Sequence, residues 1–117
     1  MSRLREERGK AMSRLREERG NEPLSSDGDV QMTAWVHGYV QGVGFRWWTR
    51  SRALELGLTG FASNRPDGRV QVVVQGPRDA CQRLLDLLQS GRTPGSVEAV
   101  IADWSEPSMP MRGFSER

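Results

Sequence analysis

Residues 32–56 read MTAWVHGYVQGVGFRWWTRSRALEL, and a change of period inside this run decides the fold. From Met32 to Val40, Ala34, Val36, Gly38 and Val40 alternate with Thr33, Trp35, His37 and Tyr39. A period of two over this length predicts a strand with one apolar face. Gln41 to Phe45 is rich in glycine and breaks the pattern. Arg46 to Leu56 then sets Thr49, Ala53 and Leu56 at helical spacing, and Gly57 follows as a C-terminal stop. A strand, a glycine loop and a helix therefore follow one another directly.

Downstream, Leu58 to Asn64 predicts a second strand and the Val-rich Arg69 to Gln75 a third. Between them Arg65-Pro66-Asp67-Gly68 is a turn, because Pro presets φ and Asp-Gly tolerates positive φ. After Gly76-Pro77, the residues Cys81, Leu84, Leu85 and Leu88 fall at i, i+3, i+4 and i+7, the stripe of an amphipathic helix. Val97 to Trp104 predicts a fourth strand, and Arg112 to Arg117 a short edge strand with no partner assigned. The order β-α-β-β-α-β is the split βαβ, or ferredoxin-like, plan. The expected class is α+β: a sandwich of one antiparallel sheet with two helices packed on one face.

Upstream, Met1 to Gly9 and Met12 to Gly20 spell the same nine letters, MSRLREERG. A unit this short cannot be a solenoid repeat, and one Leu per copy cannot form a helical stripe. Residues 1–29 are read as a flexible tail, with a domain over 30–117. Residues 1–31 hold seven basic and seven acidic side chains, leaving ten and eight for the rest of the 117-residue chain. That slight excess is no nucleic-acid footprint, though it suits attraction of a small anion. No apolar run approaches the ~20 residues that cross a bilayer, and no secretory signal is visible. Cys81 is the sole cysteine, so an internal disulfide and a Cys/His zinc cluster are excluded, and a reducing cytoplasmic setting fits.

The loop Gly38 to Arg46 carries the chemistry. Its glycines let backbone N–H groups converge, the helix start adds unpaired donors, and Arg46 adds a planar charged fork. Together these describe an anion cradle built from Gln41, Gly42, Val43, Gly44 and Phe45 with Arg46. The plainer alternative is a tight turn whose arginine only solvates the helix. A P-loop would need Gly-Lys-Ser/Thr where Phe45-Arg46-Trp47 stands, and a dinucleotide fingerprint would need glycine at Trp47. In a split βαβ unit the first two strands run parallel with the third between them. The end of strand two at Asn64 therefore lies about 10 Å in backbone from the loop after strand one. Taken alone, Asn64 also suits a turn-forming role before Pro66. His37 reads as a sheet residue, and Trp47 and Trp48 as helix-packing residues with no ligand role assigned.

The segments Val36 to Arg46 and Gly60 to Val70, with Gly76 closing the following strand, resemble the two signatures of the acylphosphatase family in order and spacing. Ser63 departs from the longer, often basic residue usual before the asparagine. The resemblance implies a metal-independent, cofactor-free hydrolase of acyl phosphates. In it Arg46 holds the phosphate and Asn64 positions the attacking water. It further implies inorganic phosphate as product or inhibitor, a monomer, and no nucleic-acid or membrane partner. A non-enzymatic anion- or protein-binding module on the same frame is the alternative, and a single-stranded RNA binder is a weaker one. The latter wants aromatics on the central strands, and Arg69 to Gln75 supplies none.

Overall fold

The computed structural model describes residues 28–117. The duplicated segment and most of the expected tail lie outside the described residues. Asp29, assigned to the tail from sequence, instead opens the first strand, opposite Pro77.

Seven elements follow in order: β1 (Asp29–Tyr39), α1 (Phe45–Glu55), β2 (Thr59–Asn64), β3 (Val70–Pro77), α2 (Arg78–Leu88), β4 (Ser96–Ser105) and β5 (Phe114–Glu116). The strands form one sheet in the order β4-β1-β3-β2-β5. Alternation on β1 behaves as its sequence requires: Met32, Ala34 and Val36 are buried, as is Val40 just past its end. Opposite them on β3, Val74, Val72 and Val70 are buried too, since residues paired across a ladder share a face. Both helices cover this face, α1 over β2 and β5, and α2 over β1 and β3. The α2 stripe Cys81, Leu84, Leu85 and Leu88 is wholly in the core. From α1, Phe45, Thr49 and Ala53 enter it.

The ferredoxin-like plan holds, with one correction: the sheet is mixed. Four strands pair antiparallel, but β5 pairs parallel with β2, Gly60 opposite Phe114 and Ala62 opposite Glu116. The reason is the path of the chain. β4 ends opposite the start of β1, where Gln31 faces Ser105. From there residues 106–113 cross the sheet end past Gln75, whose amide donates to Met109 O at 2.6 Å and accepts from Met111 N–H at 3.1 Å. A chain crossing at the end where β2 begins must enter the next strand in the direction of β2.

Close approaches near the site need glycine. A Cβ on Gly60 (φ 147°) would sit 1.8 Å from Val73 O, and one on Gly95 (φ 73°) 2.1 Å from Tyr39 O and 2.9 Å from Val43 Cγ2. The second contact braces the exit of β1 and the loop after it.

Candidate active site

The split βαβ plan brings three segments to one end of the sheet: the loop from Val40 to Gly44, the first turn of α1, and the end of β2. β1 and β2 are both antiparallel to β3, so they run parallel to each other and finish at the same edge.

The loop consists of bends with Gly42 at φ 75° and Gly44 at φ 84°. Residues with a Cβ rarely adopt this left-handed region. Gly44 is also the N-cap of α1, so no side chain caps the helix, and no acidic residue stands in its first turn. The first backbone bond of the helix is Trp48 N–H to Gly44 O, 3.0 Å. Amides earlier in a helix have no partner within it. The positive end of α1 is thus framed by glycine backbone and open to an anion.

Arg46 stands in that first turn. Its Nη1 donates to the main-chain oxygen of Arg117 at 2.6 Å. The same oxygen accepts the Asn64 N–H at 2.9 Å. Arg46 and Asn64, distant in sequence, therefore converge on one atom supplied by the end of β5. A guanidinium has five N–H donors, so this bond leaves the others for a ligand. Asn64 continues the helix-covered face of β2 after Gly60 and Ala62 and lies opposite Val70. Its Oδ1 is buried with no hydrogen-bond partner. A buried orphan acceptor costs about 1–3 kcal/mol and calls for an explanation. Ser63 points to the opposite face, as strand alternation requires, and its hydroxyl reaches only the Asn64 carbonyl at 3.5 Å.

Gln41 has a role that its loop position did not announce. Its Nε2 donates to Arg65 O at 2.8 Å and to Arg69 O at 2.9 Å. These carbonyls flank the β2–β3 turn, which is closed by Arg65 N–H to Arg69 O at 2.8 Å. One side chain thus ties the glycine loop to the turn that follows Asn64. Within the turn, Asp67 accepts from Arg69 N–H at 3.1 Å and Arg69 Nε at 2.7 Å. The backbone bond, helped by the guanidinium, holds its carboxyl below the usual carboxylate range. Arg69 in turn lies over the Trp35 ring, 4.3 Å from its centroid.

Val40, Gly42, Gly44, Phe45, Arg46 and Trp47 line a cleft at this end of the sheet together with Glu116. Glu116 and the Arg117 oxygen were missed from sequence, because the last strand could not be placed. Among the described residues no group of three or more His, Cys, Asp and Glu side chains is gathered as metal ligands would be.

A ferredoxin-like sandwich with an uncapped, glycine-framed helix end and an arginine in its first turn defines a small α+β protein of the anion-handling kind. The acylphosphatase family profile matches residues 32–116. An acylphosphatase of Mycolicibacterium smegmatis is 74% identical over 89 residues, covering 76% of this chain and 91% of that protein. One from Mycobacterium tuberculosis is 70% identical over 89 residues, 76% of this chain and 96% of its own length. The crystal structure of acylphosphatase from Bacillus subtilis superposes with a TM-score of 0.71 at 30% identity, covering 75% of this chain and 98% of the other. The chain belongs to the acylphosphatase family.

Proposed function

We propose that this chain hydrolyses acyl phosphates to carboxylate and inorganic phosphate through a division of labour between Arg46 and Asn64. The observation that carries the proposal is the convergence of the Arg46 guanidinium and the Asn64 backbone N–H on one oxygen, beside a buried Asn64 Oδ1 that has no partner. Arg46, with the backbone N–H groups of Gln41, Gly42, Val43, Gly44 and Phe45 at the helix end, holds the phosphoryl oxygens. Asn64 Oδ1 accepts a hydrogen bond from the attacking water and so fixes where the water's lone pair points.

An acyl phosphate is an activated anhydride with a good leaving group, so it needs little acid catalysis. Water attacks phosphorus, the bond from phosphorus to the carboxylate oxygen breaks, and the carboxylate leaves with that electron pair. The proton of the water passes to a phosphoryl oxygen. Positioning and charge stabilisation supply the rate. An amide and a guanidinium suit this work because neither has to exchange a proton. The reaction runs without a metal or cofactor in this scheme, and inorganic phosphate competes for the same cradle.

The folded unit is a monomer in this reading and works in the cytoplasm, where the single buried thiol of Cys81 stays unpaired. No helix among the described residues is long and apolar enough to cross a membrane.

Phosphate release from benzoyl phosphate in the presence of a chelator tests the proposal. Turnover should persist, and Arg46→Ala should both weaken competitive inhibition by inorganic phosphate and cut kcat. Arg46→Lys should rescue it poorly, since a point charge does not reproduce the planar fork. An Arg46→Ala protein that binds phosphate as tightly as the wild type would remove Arg46 from the cradle.

A further inference from the structure

Adjacent tryptophans in the first turn of α1 are used differently. Trp48 packs partly buried against the core, its ring centroid 6.1 Å from that of Phe45, with the Arg52 guanidinium 6.0 Å from it. Trp47 is 62% exposed. Packing onto a neighbour accounts for Trp48 and not for Trp47, whose large apolar ring stays in water at a cost in hydration. Trp47 lines the cleft together with Gly42, Gly44, Arg46 and Glu116, and with the apolar Val40 and Phe45. In-line displacement puts the leaving carboxylate on the side of phosphorus opposite the attacking water. With the phosphoryl oxygens on the Gly42, Gly44 and Arg46 side of this cleft, the acyl group extends along the rest of its lining, Trp47 and Glu116.

We propose that the Trp47 side of this cleft is the acyl subsite, with Trp47 as its apolar wall and Glu116 as a charge filter. The chain then prefers acyl phosphates with uncharged aromatic or branched acyl groups over those carrying a second negative charge. The inference rests on the phosphate being held by Arg46. Trp47 receives the acyl group by ring stacking or apolar contact, and the Glu116 carboxylate repels an acyl group that ends in another carboxylate.

The test compares kcat/KM for benzoyl, acetyl and succinyl phosphate in the wild type, Trp47→Ala, Trp47→Phe and Glu116→Gln proteins. Trp47→Ala should lower the benzoyl-to-acetyl ratio by about 3- to 10-fold, the scale of one lost aromatic pair, while Trp47→Phe keeps most of it. Glu116→Gln should raise the succinyl-to-acetyl ratio by about 2- to 5-fold at low salt, with the gain fading as salt is added. Thermal melts check folding, which an exposed Trp47 should not control. An unchanged benzoyl-to-acetyl ratio in folded Trp47→Ala overturns the acyl subsite, and an unchanged succinyl-to-acetyl ratio in Glu116→Gln overturns the charge filter. Failure of the underlying reading shows elsewhere, as undiminished inhibition by inorganic phosphate in Arg46→Ala.

Discussion

Replacing Gln41 should uncouple the two halves of the site. Its amide makes two bonds, 2.8 Å to Arg65 O and 2.9 Å to Arg69 O, and these cross the gap between the glycine loop and the β2–β3 turn. Gln41→Ala removes both. Neither carbonyl is orphaned, because Arg65 O still accepts from Gly68 N–H at 3.1 Å and Arg69 O from Arg65 N–H at 2.8 Å. The stability cost is therefore that of two net hydrogen bonds without a desolvation penalty, about 1–3 kcal/mol. In a domain of this size each kcal/mol lowers Tm by about 4–8 °C. The effect on rate should be larger, because the loop proposed to frame the phosphate is no longer held against the turn after Asn64. A misplacement of ~1 Å costs on the order of 10²-fold, so kcat/KM should fall about 10- to 100-fold. Gln41→Glu is the sharper variant: it keeps the shape but turns a donor into a carboxylate facing two carbonyl oxygens. It should be less stable and less active than Gln41→Ala. Urea unfolding alongside steady-state phosphate release measures both quantities. A Gln41→Glu protein as stable and as active as the wild type would refute the reasoning.

Two further predictions concern parts away from the site. Removing residues 1–27 should leave kcat/KM within about 2-fold and stability within the ~0.5 kcal/mol scatter of surface changes, because the family profile matches residues 32–116, all of which remain; a larger loss in either assay would show that the segment contributes to the domain. Burial in the core, reinforced by the Asp29 charge, pushes the Cys81 thiol up to about 11. The folded state thus keeps this proton at a pH where the unfolded chain has lost it, so the stabilisation is complete below the ordinary thiol range and is lost as pH rises towards 11. Urea unfolding from pH 8 to 11 should show a fall of about 2–3 kcal/mol that is absent from Cys81→Ala, and equal pH slopes in the two proteins would contradict it.

The elements that came through from sequence are those whose side chains meet only the core. The α2 stripe and the alternation of β1 needed no knowledge of distant partners. The turn at Pro66-Asp67-Gly68 was equally legible, because its chemistry is local. β5 was not. It spans three residues, only Phe114 among them is buried, and so it carries no readable period. Its parallel pairing follows from the crossing past Gln75, a contact between residues more than 30 positions apart. The register shift between β1 and β4 at His37/Gly38 was hidden for a similar reason, since it depends on the partner strand. At the candidate site, the helix start after a glycine loop was legible, and the structure has Gly44 as the N-cap with Arg46 in the first turn. The Gln41 clamp and the shared Arg117 oxygen were not legible, because each joins segments that only the completed sheet brings together. The two tryptophans are identical in type and adjacent in sequence, and only the packed structure separates the one in the core from the one in the cleft.

The division of labour is tested most directly by the kinetics of Asn64→Ala, with folding verified because Asn64 leads into the turn. If Asn64 orients the water and Arg46 holds the phosphate, kcat should fall by on the order of 10²-fold or more, the scale of losing one positioned polar group. The inhibition constant for inorganic phosphate should stay close to that of the wild type, since the cradle is intact. A folded Asn64→Ala enzyme with near-normal kcat would contradict the account.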